Sequence, residues 1–120
     1  YKDLSSKYWP GALTMVVPVA ENKKSIVTSK DLSLGLRIPN SLMAKSLINK
    51  TGPLLTSSAN LSGIVGYRTA EEIAKDFPEV GILGPTPWQK CSGQASTVVA
   101  WFETRKWKLI REGGVKVKEL

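Results

Sequence analysis

The chain has 120 residues, 42% hydrophobic and 22% charged, proportions that suit one globular domain and argue against a disordered chain or a membrane protein. It has no His and one Cys, which excludes imidazole catalysis, His-ligated metal sites and disulfide frameworks. A net charge of +7 makes a polyanion such as RNA a candidate partner, although a Lys-rich surface that only maintains solubility explains the charge equally well.

The first half of the chain predicts several strands and a helix. Asn40 or Ser41 can cap a helix over Leu42–Asn49, because a cap side chain accepts a hydrogen bond from the free N–H groups at a helix start. The apolar residues of this helix fall on one side. The strand predictions are apolar runs bounded by turn residues. They are Ala12–Val19, Ser25–Thr28, Leu32–Ile38 and Leu54–Ser57.

The second half predicts a capped helix and three further strands. Thr69 and Glu72 have the spacing of a capping box, so a helix is expected to follow Thr69 and to end before Pro78. The three strand predictions are Val80–Leu83, Ala95–Phe102 and Trp107–Arg111. Two helices interleaved with about six strands indicate a mixed α/β fold with some antiparallel pairs.

Two polar loops and two arginines are candidates for ligand binding. Thr56–Gly63 places hydroxyls and an amide where backbone N–H groups can hold a phosphate, but its composition alone favours an ordinary turn. Ser92–Thr97 places hydroxyls at the start of a buried strand, where they contact a ligand or satisfy the strand's own backbone. Arg37 and Arg111 lie in or at the end of apolar strands, where a partly buried guanidinium needs a carboxylate or phosphate partner; for Arg111 that partner can also be an acid of this chain.

The remaining reactive and aromatic side chains have simpler interpretations. Cys91 has no base partner and is interpreted as an incidental thiol. The four Trp residues can stack on bases, but in a small α/β domain they are more typical of the core. No P-loop motif occurs in the sequence.

Five segments of the chain, in order, resemble the YrdC-type threonylcarbamoyl-AMP synthases. The segments are Trp9–Thr14, Gly35–Asn40, Ser58–Gly63, Ser96–Val99 and Leu109–Arg111 followed by Gly113. Each segment alone is a weak signal, but five in the right order at suitable spacings are specific. The sequence departs from the family pattern at Ala12, Ala95 and Glu112, where Pro, Glu and Pro are usual.

The resemblance covers nearly all of the chain and corresponds to the C-terminal two thirds of the family domain. The family's N-terminal Pro-Thr-Asp/Glu-Thr-x-Tyr-Gly and Lys-x-Arg segments, which line its active site, do not occur in this sequence. We therefore expect residues 1–120 to form a single YrdC-like domain that lacks the N-terminal part, exposes apolar surface and has little activity on its own.

The fold that the resemblance implies is a twisted mixed sheet with flanking helices around a large concave cavity. The implied enzyme is a nucleotidyltransferase that uses Mg²⁺ with ATP and makes L-threonylcarbamoyl-AMP and pyrophosphate from L-threonine, bicarbonate and ATP. Its product serves threonylcarbamoyladenosine modification of tRNA, so the tRNA-modification machinery is the expected partner and the cytoplasm the expected location, with no membrane association.

The resemblance also implies site residues, carried over by position. ATP would contact Ser33, Ser58, Gly66 and Arg111; L-threonine would contact Arg37, Thr56 and Ser96; and Asn60 would support the site. It assigns no acid–base residue and no metal ligand of the chain. The alternative, favoured by the net charge, is a non-catalytic module of the same fold that binds tRNA or double-stranded RNA. A carbamoyl-transfer relative of hydrogenase maturation ranks last, because no Cys cluster is present.

Overall fold

A computed structural model of the chain describes residues 2–20, 22, 33–60, 66–102, 106–118 and 120. Its residues divide into two compact units, one of Tyr1–Leu55 with Gln94–Leu120 and one of Thr56–Gly93. The first unit contains α1 (Lys2–Tyr8), β1 (Leu13–Pro18), β2 (Ser33–Leu36), α2 (Leu42–Thr51), β3 (Thr97–Trp101) and β4 (Trp107–Arg111). The second unit contains α3 (Ala70–Asp76), which lies between α2 and β3 in the chain. The strand predicted at Ser25–Thr28 lies outside the described residues.

The four strands form one mixed sheet in the order β2-β1-β3-β4. β1 is antiparallel to β2 and parallel to β3, and β4 is antiparallel to β3. In this topology the starts of β1 and β3 lie at the same end of the sheet as the ends of β2 and β4. The prediction of a mixed α/β fold with some antiparallel pairs is confirmed.

One face of the sheet carries the core of the first unit. Leu13, Met15 and Val99 are buried on this face together with Leu4 of α1. Alternation along a strand turns Thr14 to the opposite face. Full burial of a side chain the size of Leu contributes about 1.5–3 kcal/mol to folding. The half-buried side chains packed against this cluster are Tyr8, Trp9, Trp107, Val115 and Val117.

The tryptophans take up positions that agree with a structural role. The Trp9 indole packs on the core and its Nε1 donates to the backbone oxygen of Leu13 at 2.7 Å. Trp101 and Trp107 pack edge to face with ring centroids 5.1 Å apart. Trp88, in the second unit, donates from Nε1 to the oxygen of Leu83 at 2.8 Å. All four rings are half-buried rather than fully buried.

Helix α2 begins where a local signal predicts. Ser41, not Asn40, is the cap residue, and its Oγ accepts a hydrogen bond from Ala44 N at 3.3 Å. The helix continues to Thr51 and ends at Gly52, whose φ of 78° lies in the left-handed region that favours glycine. This end is two residues later than the predicted end at Asn49.

Helix α3 confirms the predicted capping box. Thr69 Oγ1 accepts from Glu72 N at 3.2 Å, and Glu72 Oε2 accepts from Thr69 N at 3.2 Å. The same carboxylate oxygen accepts from Arg68 N at 2.7 Å. The helix ends at Asp76, before Pro78 as predicted. The start of α3 is therefore fixed by bonds between residues close in sequence.

Two predicted strands are wrong and one helix was not predicted. Leu54–Ser57 and Val80–Leu83 are irregular and belong to no sheet. An apolar run becomes a strand only where another strand pairs with it, and neither run has a partner among the described strands. Lys2–Tyr8 forms α1 although it contains two Ser, because its Leu4 packs into the core.

Several large apolar side chains of the described residues are exposed. Those among the described residues are Leu36, Ile38, Leu42, Leu54, Leu55, Val80, Leu83, Phe102, Leu109, Ile110 and Leu120.

None of the helices in the described part of the chain has the length and apolar character that a membrane span needs.

Candidate functional site

Four polar side chains lie at one end of the sheet, and we call them the polar end. Thr14 is the second residue of β1, Arg37 follows β2, Ser96 precedes β3 and Arg111 is the last residue of β4. The antiparallel outer strands finish where the parallel inner strands begin, so the topology gathers residues that are up to 97 positions apart in sequence.

Ser96 is the centre of the polar end. Its Oγ lies 2.8 Å from Thr14 Oγ1, and either hydroxyl can be the donor. The Arg111 guanidinium donates to the Ser96 backbone oxygen from Nε at 3.2 Å and from Nη2 at 2.9 Å, and Nη2 is also 3.4 Å from Ser96 Oγ. Ser96 is buried, so these bonds satisfy its polar atoms and fix the orientation of the guanidinium.

Arg37 is held by the turn that precedes β1. Its Nε donates to Gly11 O at 2.9 Å, and Gly11 N donates to Ile38 O at 2.9 Å. Within the described residues, Nε is the only guanidinium nitrogen of Arg37 for which a hydrogen bond is found. The two terminal nitrogens thus present a planar pair of donors of the geometry that carboxylates and phosphates accept.

The expected partial burial is wrong for Arg37, whose hydrogen bond to Gly11 is exposed, whereas the hydrogen bonds of Arg111 to Ser96 are partly buried. Both Arg37 and Arg111 are exposed, because β2 and β4 are the edge strands and their ends reach solvent. No carboxylate of the described residues hydrogen-bonds to either guanidinium; Glu103, one of the acids near Arg111 in sequence, lies outside those residues. Two positive charges therefore stand beside two hydroxyl groups at an accessible surface, an arrangement suited to an anionic ligand.

Ser33 does not join the polar end. It is the first residue of β2 and pairs with Pro18, whereas Arg37 follows the last residue of the same strand. Four residues of strand separate their Cα atoms by about 13 Å. Alternation does place Ser33, Gly35 and Arg37 on the same side of the strand.

The other predicted site residues belong to the second unit. Thr56, Ser58 and Gly66 are exposed and Asn60 is half-buried, all in irregular backbone. Residues 61–65 of this loop lie outside the described residues. The structure therefore brings Arg37, Ser96 and Arg111 together, while the roles of these four loop residues stay predictions.

A separate polar contact in the second unit changes the acidity of a tyrosine. Tyr67 Oη donates a hydrogen bond to Asp76 Oδ2. This bond raises the pKa of Tyr67 above its ordinary value, with smaller contributions from desolvation and from the negative charges of Asp76 and Glu72. Cys91 is exposed, and its Sγ donates to Arg68 O at 3.8 Å; nothing in this environment suggests a nucleophile.

Sequence reasoning gave no role to Thr14, although it lies inside the Trp9–Thr14 segment. The available signal was its position between Leu13 and Met15, because a hydroxyl that alternates with buried apolar residues must face the other side of the sheet. That signal becomes meaningful only when Ser96 of a neighbouring strand is known to face the same side.

The face of the sheet that carries the core differs chemically from the polar end. It carries an open hollow of about 330 Å³ whose lining is mostly apolar. The lining residues are Ser5, Trp9, Met15, Val17, Pro18 and Leu36. The hollow contains no charged side chain, so it is not suited to ATP or an amino acid. The large concave cavity that the resemblance implies stays a prediction.

The fold is a mixed α/β domain. Its candidate site lies at the end of the sheet where β1 and β3 begin and β2 and β4 finish. The family model Sua5/YciO/YrdC, described as "Telomere recombination", matches residues 1–113. The chain belongs to this family, which confirms the resemblance inferred from its sequence motifs.

Curated relatives support the same assignment. The threonylcarbamoyl-AMP synthase of Bacillus subtilis is 34% identical over 125 residues, an alignment that covers 99% of this chain and 35% of that protein. The protein of the same name from Pyrococcus abyssi is 31% identical over 123 residues, covering 98% of this chain and 34% of that protein. The chain thus spans about a third of the length of these relatives.

Solved structures show that the fold is shared. A double alanine variant of P. abyssi Sua5 superposes with a TM-score of 0.83 at 29% identity, covering 98% of this chain and 36% of that one. P. abyssi Sua5 in complex with L-threonine gives a TM-score of 0.79 at 29% identity, covering 94% of this chain and 33% of that one.

Proposed function

We propose that this protein is a threonylcarbamoyl-AMP synthase, a nucleotidyltransferase that forms L-threonylcarbamoyl-AMP and pyrophosphate from L-threonine, bicarbonate and ATP. The observation that carries the proposal is the polar end, where Arg37, Ser96 and Arg111 lie at the same end of the sheet and Ser96 Oγ is 2.8 Å from Thr14 Oγ1. Family membership and the names of the relatives support the same reaction. The product would serve tRNA modification in the cytoplasm.

The amino acid is proposed to bind on the β2 side of the polar end. The two terminal nitrogens of Arg37 would hold the carboxylate of L-threonine, since a guanidinium pairs with a carboxylate through two parallel hydrogen bonds. Ser96 would border the amino acid, and the same role for Thr56 stays a prediction of the family resemblance. A relative of this chain, P. abyssi Sua5, has been crystallised with L-threonine, which supports this choice of substrate.

The nucleotide is proposed to contact Arg111 at the polar end, whereas contacts of Ser33, Ser58 and Gly66 with ATP stay predictions of the family resemblance. Mg²⁺ would enter with ATP and be held by phosphate oxygens and water. Asn60 would support the loop that carries Ser58.

The chemistry of the proposed reaction matches these side chains. The amino group of L-threonine and bicarbonate condense to a carbamate with loss of water. An oxygen of this carbamate attacks the α-phosphorus of ATP, the P–O bond to the leaving pyrophosphate breaks, and a mixed anhydride with AMP forms. Such a step depends on alignment of the reactants and on neutralisation of negative charge. Arg37 and Arg111 supply positive charge from fixed positions, and the step needs no imidazole, in agreement with a sequence that contains no His.

The test is the release of labelled pyrophosphate from ATP by the purified full-length protein that contains this chain. Release is expected only when both L-threonine and bicarbonate are present, and turnover without threonine contradicts the proposal. Arg37→Ala is expected to raise the KM for L-threonine by about 10–100-fold, the loss of a charged hydrogen bond. Lys50→Ala, which removes a positive charge from the last turn of α2, is the matched control and is expected to leave the KM unchanged.

A second candidate function is RNA binding without catalysis. Lys116 and Lys118 are exposed, while the alternating Val115 and Val117 pack on the core, so one side of this segment presents only lysines. Together with a net charge of +7, these lysines favour a phosphate backbone as partner. Tight RNA binding with a steep dependence on salt, in a protein that does not bind ATP, would favour this function over the first.

A further inference from the structure

We propose that Thr97 is a positioning residue that holds Ser96 and Arg111 in place from the opposite face of the sheet. It acts through the segment that follows β4, Glu112–Lys118, which we call the tail. The inference rests on the proposed function, because the residues it positions belong to the same polar end. It adds a residue that contacts no proposed substrate.

The hydroxyl of Thr97 ties the tail to the start of β3. Thr97 is 1% exposed. Its Oγ1 donates to the backbone oxygen of Val115 at 2.5 Å and accepts from the backbone nitrogen of the same residue at 3.3 Å. One hydroxyl therefore satisfies both polar groups of a tail residue that packs against the core.

The tail also crosses directly over the peptide bonds on either side of Ser96. Gly114 N donates to Ala95 O at 2.9 Å. A Cβ at Gly113 would lie 2.3 Å from Ala95 O and 2.5 Å from the Ser96 carbonyl carbon, so the two backbones are closer here than any residue with a side chain allows. Gly113 follows Arg111 by two positions, so this crossing constrains the end of β4 in addition to the pairing of Arg111 with Val98.

The Ser96 carbonyl group, against which the tail packs, also orients Arg111. Both Nε and Nη2 of Arg111 donate to Ser96 O, and Gly113 lies against the carbon atom of that same carbonyl. A shift of the tail away from β3 therefore moves the guanidinium donor relative to its acceptor. Arg111 connects the two, since it is covalently joined to the tail and hydrogen-bonded to β3.

Ser96 and Thr97 are adjacent in sequence, but their side chains make contacts on opposite faces of the sheet. Alternation turns the Ser96 side chain to the polar end and the Thr97 side chain to the core, where it meets the tail. Val has the shape of Thr without a donor or an acceptor, so Thr97→Val leaves the N–H and C=O of Val115 without this partner. Thr97→Ser keeps the hydroxyl and is the conservative rescue.

The experiment measures the Arg111 guanidinium directly. In ¹⁵N-labelled protein, the Nε–H signal of Arg111 is identified by its loss in Arg111→Lys. Thr97→Val is expected to raise the solvent exchange rate of this Nε–H about tenfold, the cost of weakening one charged hydrogen bond, and Thr97→Ser to restore it. Thr51→Val, which removes a hydroxyl that donates to Leu47 O at 3.1 Å in the same unit, is the control and should not change it.

Kinetics provide the second readout. In Thr97→Val, the KM for ATP is expected to rise about tenfold, because the variant weakens the placement of Arg111, which is proposed to contact the nucleotide. A general loss of structure would instead lower the active fraction, and with it kcat. The serine variant should return the KM to its original value.

The outcomes separate this inference from the function on which it rests. The inference is overturned if Thr97→Val exposes the Val115 N–H to exchange and the Arg111 Nε–H is unaffected. Should Thr97→Val not fold, Gly113→Ala displaces the tail without altering the buried residues of β3 and must raise the same exchange rate. Absence of threonine-dependent pyrophosphate release in the unmodified protein, with the exchange results as expected, rejects the proposed function and leaves the structural link intact.

Discussion

Gly113 is the position at which one added methyl group is expected to have a large effect. A Cβ there would lie 2.3 Å from Ala95 O, 2.5 Å from Ser96 C and 2.6 Å from Thr97 N, whereas ordinary contact begins near 3.4 Å. The overlap with the carbonyl oxygen is therefore 1.1 Å, the difference of 3.4 and 2.3. All three atoms belong to the backbone, so no side chain can rotate away to make room.

Two estimates of the cost of Gly113→Ala agree. Forcing an extra carbon into a tightly packed region costs about 1–3 kcal/mol, and contacts with backbone belong at the upper end of that range. If the tail moves instead, it loses the bond from Gly114 N and both bonds between Thr97 and Val115, at about 1 kcal/mol each. Either response destabilises the protein by about 3 kcal/mol, which lowers Tm by about 10–15 °C for a chain of this length.

Thermal unfolding followed by circular dichroism measures this effect. Gly81→Ala is the matched control, because a Cβ at Gly81 meets no atom within 4 Å and the substitution reduces the entropy of the unfolded chain, so Tm should not fall. A Tm for Gly113→Ala within about 2 °C of the unmodified protein refutes the reasoning. It would mean that the tail does not lie against the start of β3 in solution.

Three further predictions follow from single contacts. Leu13→Ala, at a fully buried position of β1, should cost about 3 kcal/mol in chemical unfolding, and a cost below about 1 kcal/mol would contradict the proposed core. Thr69→Ala removes the cap of α3 and should destabilise that helix by about 1 kcal/mol, measured by amide exchange, whereas Thr69→Ser should not. The raised pKa of Tyr67 means that its neutral, hydrogen-bonded form stabilises the fold below the ordinary tyrosine pKa, and that this stabilisation disappears as pH rises through the raised value. In an ultraviolet titration Tyr67 should therefore ionise above the ordinary tyrosine pKa, and Asp76→Asn should lower its pKa; a raised pKa that persists in the variant would contradict the role of Asp76.

The helix starts and the sheet strands were predictable because their signals are local. A cap residue bonds to an N–H three positions along the chain, as Ser41 and Thr69 do, so the pattern alone contains the interaction. Strands β1 to β3 were also predicted, with ends one or two residues too long, and β4 was predicted with its exact bounds. Leu54–Ser57 and Val80–Leu83 have similar composition and are not strands, because pairing requires a neighbour that only the tertiary structure supplies.

Some residues of the candidate site were predictable from the sequence, and others were found only in the tertiary structure. Arg37, Ser96 and Arg111 were identified through a family resemblance carried by sequence motifs, and the strand order then placed them at one end of the sheet. The single-domain prediction for residues 1–120 and the roles of the second-unit loop residues stay predictions. No sequence pattern indicated that Thr14 pairs with Ser96 or that Thr97 holds the tail, since each bond joins residues distant in the chain.

The sequence by itself therefore determined the family, the helix caps and which segments are apolar enough to become strands. The tertiary structure decided which of those segments pair, which face each side chain occupies, and that both arginines end at solvent rather than inside the protein. The physical reason is the range of the interactions: capping acts within one turn of chain, whereas sheet pairing and the close approach at Gly113 depend on segments brought together only by folding.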